Sequence, residues 1–171
     1  LTAGLWFVSY LVQMRSVRPE TATAWAAAYY FGIMAGRLIN GFLTLRFSSK
    51  TLIRAGQVSI LLGILLLFLP GNLFSLIGLL LVGLGCAPIY PSMLHETPQR
   101  FGEENSSRLM GIQMASAYVG LTVMPPLVGL LANRWSLVIF PYSLLIMLIL
   151  MVLGSERVNQ IIARREQARV S

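Results

Sequence analysis

Aspartate occurs nowhere in the 171 residues, and histidine, cysteine and lysine occur once each, as His95, Cys86 and Lys50. Without aspartate there is no intramembrane aspartyl protease. One histidine and one cysteine are too few for a metal centre, and a lone cysteine forms no internal disulfide. No Gly-x-Ser triplet occurs, so a serine–histidine dyad on such a turn has no support. No glycine-rich loop carries Lys-Ser or Lys-Thr, which removes a phosphate-cradling ATPase. These gaps argue against an enzyme that breaks bonds, and no cofactor or metal is expected.

Charge is scarce too: 11% of residues, against about 25% in a soluble domain. Hydrophobic residues make up 56%, and the mean hydropathy is +0.74. That leaves too little polar surface to coat a water-soluble fold. The composition predicts an all-α membrane protein in a lipid bilayer. It excludes disorder, and the continuous apolar runs argue against an outer-membrane barrel. The net charge of +7 does not require a nucleic-acid partner, because basic residues of membrane proteins collect on the cytoplasmic side.

Six apolar segments are visible, at 1–14, 22–45, 52–69, 73–94, 109–131 and 135–153. A span needs about 20 residues to cross about 30 Å of hydrocarbon. The last five qualify and the first is too short. No basic region precedes Leu1, so the chain reads as a fragment that begins inside a helix. Residues 1–153 form the transmembrane bundle and 154–171 a basic tail.

The connections alternate in charge. Segments 15–21, 70–72 and 132–134 hold Arg15, Arg18 and Arg134. Segments 46–54 and 95–108 and the tail hold nine: Arg46, Lys50, Arg54, Arg100, Arg108, Arg157, Arg164, Arg165 and Arg169. The second set, with the C-terminus, is therefore expected in the cytoplasm at the cell (inner) membrane.

Small residues form stripes at helical spacing. Ala28, Gly32, Gly36, Asn40 and Thr44 lie on one ridge; so do Ala55, Ser59 and Gly63. Gly111 with Ala115, and Ser116 with Gly120, repeat the pattern, which marks close helix contacts. Pro88 and Pro91, Pro125 and Pro126, and Pro141 fall inside three segments, where each removes a backbone donor and tends to kink a helix.

Polar residues concentrate in the first, second, fourth and fifth segments: Trp6, Tyr10, Gln13, Tyr30, Arg37, Asn40, Tyr90, Gln113 and Tyr118. The third and sixth are almost purely apolar through their centres. This three-plus-three order suits helices that line a path alternating with helices that face lipid. Arg37 costs at least about 2.5–3.5 kcal/mol within a span, so it must face water or a partner. It either contacts a substrate or the carboxylate of a partner half, or caps neighbouring helix carbonyls. Trp6, Tyr10 and Gln13, at i, i+4 and i+7, suit a sugar-like ligand through stacking and hydrogen bonds; the alternative is an interfacial aromatic belt. Tyr90, between two prolines, either lines a pore or bonds a backbone carbonyl. Gln113 is open to a path or to a neighbouring helix. His95 and Glu96 form either a pair that titrates near neutral pH or a solvated helix end.

The stretch 41–50, GFLTLRFSSK, resembles the loop signature of the major facilitator superfamily, Gly-x-x-x-Asp-Arg-x-Gly-Arg-Arg/Lys. It matches at Gly41, Arg46 and Lys50 and departs at Leu45 and Ser48. Gly36 with Arg37, and the stretch 83–92, GLGCAPIYPS, resemble the fucose–galactose–glucose proton symporter branch. The resemblance covers the whole chain as helices seven to twelve of a twelve-helix fold. It implies two bundles with alternating access, a cavity lined by helices seven, eight, ten and eleven, and Arg46 and Lys50 in the cytoplasmic loop that latches the closed state. It also implies a missing N-terminal six-helix half. Proton coupling in that branch relies on membrane carboxylates, and none lies mid-span here.

The expected function is the C-terminal half of a secondary active transporter for a small polar, sugar-like solute. Two rivals are a six-helix assembly subunit that transports nothing and a half-transporter acting as a homodimer. An immunoblot of the native membrane against the C-terminal tail separates them. The first reading expects a band near twice the chain's 18.9 kDa, and the others a band at that mass.

Overall fold

The computed structural model describes the backbone of residues 2–170, and their side chains except those of Glu103, Trp135 and 164–170. The expected helix start at Leu1, and the side chains of the tail's Arg164, Arg165 and Arg169, lie outside the described residues. Among the described residues, regular structure is helical throughout: α1 Thr2–Arg15, α2 Pro19–Leu43, α3 Ser49–Phe68, α4 Asn72–Phe101, α5 Glu103–Trp135 and α6 Ile139–Val170.

Local chemistry sets the boundaries. Pro19 opens α2 where a missing N–H costs nothing. Ser48 caps α3 by accepting from the Thr51 amide at 3.4 Å. Gly71 and Gly102 take φ of +124° and +81° at the turns into α4 and α5. Five short connections make successive helices antiparallel. The ends carrying Lys50, Arg54, Arg100 and Arg108 therefore gather at one end of the bundle, beside the α6 residues that follow Gly154.

Among the described residues, four helices are long and apolar enough to cross a membrane: α3, α4, 104–134 of α5 and 139–163 of α6. α1, at 14 residues, is too short. α2 has the length, 25 residues, but Ala, Gly, Tyr and Arg37 dilute its hydropathy, so it does not qualify on composition as the sequence suggested. Pro88, Pro91, Pro98, Pro125 and Pro126 sit within continuous helices. Pro141 is the third residue of α6, in the first turn, where no in-helix donor is lost. The sixth helix runs unbroken through Gly154, so the start of the tail continues it.

α4 is the centre, packed most extensively against α3 and α2. Glycines make this possible. Gly63 faces Gly78, and Gly56 faces Gly85; a Cβ at Gly63 would stand 2.5 Å from the Gly78 carbonyl oxygen, and one at Gly85 2.5 Å from that of Gly56. On the other flank Gly32 and Gly36 rest on the Leu80 and Leu84 carbonyls, and Gly83 on that of Tyr29. In lipid such close approach drives helix association, because burial from water does not. The α5 stripe behaves differently: Gly111 and Gly120 have nothing within 4 Å.

Gly63→Ala is expected to lower the stability of the full-length protein by about 1–3 kcal/mol, since backbone must move to admit the methyl. Gly111→Ala is expected to cause no loss. Thermal unfolding of both variants in detergent checks the contrast.

Candidate functional site

The polar face of α1 is tied to its neighbours. Tyr10 is buried, and its hydroxyl donates to the Leu67 carbonyl at 3.2 Å. Arg15 donates to the Leu67 and Leu69 carbonyls at 2.9 and 2.8 Å, with its guanidinium 5.8 Å from the Tyr10 ring centre. These two side chains satisfy carbonyls that the last turn of α3 leaves without helical donors. Trp6 donates from Nε1 to the Pro125 carbonyl at 3.0 Å, and its ring lies over Gly129, where a Cβ would stand 2.6 Å away. Gln13 is exposed and, among the described residues, without a side-chain partner.

On α2, Tyr30 is exposed, edge-on to Tyr29, with its hydroxyl over Gly4. Arg37 lies two turns further along the same face. It is exposed and makes no hydrogen bond or ion pair among the described residues. Asn40, one turn on, is only 8% exposed, and its Oδ1 has no partner. Gly36 packs on Ala87 and Leu84, so this register sets Arg37 and Asn40 level with the Pro88–Pro91 segment of α4. Tyr90, at 41% exposure, stands within a turn of both levels. Pro88 offers no N–H to Leu84, and the freed carbonyl is the one lying against Gly36.

Side-chain hydrogen bonds tie α5 to α4 and α1, and it also touches α6. Gln113 donates to the Thr97 hydroxyl at 3.1 Å, and that hydroxyl donates to the Met93 carbonyl at 2.9 Å. Twelve residues on, Pro125 meets Trp6. Between them Gly120 faces open space. Tyr90 precedes Thr97 by seven residues, and Gly120 follows Gln113 by seven. In an antiparallel pair the tyrosine therefore stands level with this gap. Tyr118 is 70% exposed, on the face of α5 that later carries Pro125. Arg37, Asn40, Tyr90 and Tyr118 thus share a level, while Trp6, Tyr10 and Gln113 are engaged between helices.

Of the signature residues only Arg46 lies in the α2–α3 connection: Gly41 is in the last turn of α2, where a Cβ would meet nothing within 4 Å, and Lys50 is in the first turn of α3; Arg46 and Lys50 are exposed. Leu45, at the signature's acidic position, is 82% exposed. His95 is exposed, whereas Glu96 is buried and pairs with Arg100 one turn on rather than with the histidine. Sequence reasoning passed over this i, i+4 spacing. It also passed over Arg15 as an anchor, and over the α3–α6 contacts Arg54–Glu156 and Gln57–Ser155, both 3.0 Å.

A family model, Major Facilitator Superfamily, matches residues 2–166. Bypass of stop codon protein 6 of Saccharomyces cerevisiae is 27% identical over 168 residues, covering 90% of this chain and 33% of that protein. The chain thus spans about a third of the length of the curated relative it matches. No solved structure matches.

Tyr10→Phe is expected to cost about 1 kcal/mol of stability and Arg15→Ala about 1–2 kcal/mol, because each removes a donor from the end of α3. Gln13→Ala is expected to cost nothing measurable. Unfolding midpoints of the full-length variants in detergent test the ranking.

Proposed function

Because the chain belongs to the major facilitator superfamily, we propose that it is the C-terminal six-helix half of a secondary transporter that moves a small polar, sugar-like solute by alternating access. Membership points to transport by an integral membrane protein rather than to catalysis. The observation that carries the finer reading is Arg37. It is a cation inside α2, exposed and unpaired among the described residues, one turn from the buried amide oxygen of Asn40, which has no donor among them, and level with Tyr90. Together they offer a guanidinium, an amide and a phenol, the donors and acceptors that hydroxylated solutes engage. Tyr30 and Tyr118 extend this surface with aromatic faces suited to sugar rings.

On this reading six helices span in a three-plus-three order, α1, α2, α4 and α5 line the path, and α3 and α6 face lipid. Support comes from the exposed side chains: those of α3 from Val58 to Phe68 include Leu61, Leu62 and Leu65, and those of α6 include Ile146, Ile149 and Leu150. Trp6, Tyr10 and Gln113 then shape the path by holding its walls. The basic end faces the cytoplasm, with Arg46 and Lys50 in the latching loop. The fucose–galactose–glucose proton symporter branch and symport at the plasma membrane are the finer assignment, resting on the residues around Arg37 and Tyr90. The yeast relative's name mentions bypass of a stop codon and no solute.

The test is uptake of radiolabelled monosaccharides by cells expressing the full-length protein. Arg37→Ala is expected to reduce uptake at least tenfold while surface expression is retained. Normal uptake by that variant overturns the role of Arg37. Absence of uptake by the unmodified protein across hexoses, pentoses and their amino derivatives favours the assembly-subunit reading instead.

A further inference from the structure

A large open space lies away from Arg37, at the basic end of the bundle. This cleft of about 1260 Å³ opens between the end of α4, the start of α5 and the continuation of α6. It adjoins a cavity of about 450 Å³ that reaches α3, and both are bordered by Lys50, Glu96 and Arg100. The cleft exceeds the roughly 300–1,000 Å³ typical of a small-molecule pocket. Its wall is amphipathic: Lys50, Arg100 and Arg108 stand beside Ile112, Val158 and Ile161.

Its cations are under-neutralised. Glu96 pairs with Arg100, but Lys50 and Arg108 make no ion pair among the described residues. Arg100 also has a buried Nε without an acceptor. A buried N–H of this kind is costly until an acceptor arrives, and a charged oxygen is the strongest acceptor. Cations and an unused donor call for an anion; the isoleucines and valine beside them call for hydrocarbon.

We propose that this cleft binds an anionic phospholipid, with the phosphate between Lys50 and Arg108 and an acyl chain along Ile112 and Ile161. Basic pockets between membrane helices suit anionic headgroups at the leaflet surface. A soluble phosphate would leave the apolar wall without a partner. The site rests on the chain's residence in a membrane and not on transport, so its failure leaves the transport reading untouched.

The full-length protein in detergent is mixed with phosphatidylserine, phosphatidylcholine or glycerophosphoserine, and retained ligand is counted by native mass spectrometry. Preferential retention of phosphatidylserine is expected. Each basic residue near an anionic surface is worth about fivefold, so the double variant Lys50→Gln, Arg108→Gln is expected to lose about 30-fold in phosphatidylserine affinity. Unchanged affinity in a variant that elutes as the parent does overturns the proposal. Displacement of phosphatidylserine by equimolar glycerophosphoserine also overturns it, by marking a soluble-anion site. Should the double variant fail to elute as folded protein, Arg108→Gln alone decides, with a fivefold loss in support and no loss against.

Discussion

The bundle depends on how closely α4 lies against the helices on either side of it. Gly56 and Gly63 meet Gly85 and Gly78 on one flank, and Gly32, Gly36 and Gly83 bring backbones together on the other. In hydrocarbon, apolar side chains gain nothing by leaving lipid for protein, so adhesion must come from dispersion at short range and from polar contacts. Glycine supplies the short range. The same contact fixes the register between α2 and α4, and with it the level at which Arg37, Asn40 and Tyr90 meet. A slip of one turn would move the arginine about 5 Å along α4 and dissolve that grouping.

Against this closely packed layer, α5 is held differently. It is pinned by Gln113 to Thr97 near the basic end and by Trp6 to Pro125 further on, while a Cβ at Gly120 between them would meet nothing within 4 Å. Pro125 and Pro126 weaken its own ladder next to the second pin. A helix with few buried contacts bends at lower cost than one seated along its length. The division is between a closely packed α2–α4–α3 layer and a less buried α5, and the candidate residues lie on both.

Much of the fold was legible because composition and apolar length are strong signals. All six helices overlap the apolar segments, and the ridge of Gly32 and Gly36 and the small residue Gly63 do make close contacts. Spacing alone failed on α5, where Gly111 and Gly120 carry the same pattern over open space. Periodicity identifies a face, not what covers it. The site was harder for a related reason. Trp6, Tyr10 and Gln13 share a face by spacing, yet one bonds α5, one bonds α3 and one faces outward. The difference lies in where neighbouring helices end and expose carbonyls. Leu67 and Leu69 draw in Tyr10 and Arg15 because α3 stops there, and that stop acts across more than fifty residues. Of the two readings for His95 and Glu96, neither holds for Glu96: adjacent residues do not face each other on a helix, whereas Arg100, four on, does, and the glutamate is buried against it while His95 is exposed.

Arg37 constrains what surrounds the chain in its membrane. It precedes the end of α2 at Leu43 by six residues, roughly 9 Å along the helix axis. No acid of the chain lies on α2 beyond Glu20, at the opposite end, and the neighbouring carbonyls do not hold the guanidinium. A cation so placed against lipid carries a penalty of at least about 2.5–3.5 kcal/mol. The penalty vanishes if that face opens on water or meets an acceptor from outside these six helices. A lipid-facing surface supplies neither. Within α2 the arginine is thus a cation among exposed apolar side chains such as Met34 and Leu38, and its cost in a membrane depends on what meets that face.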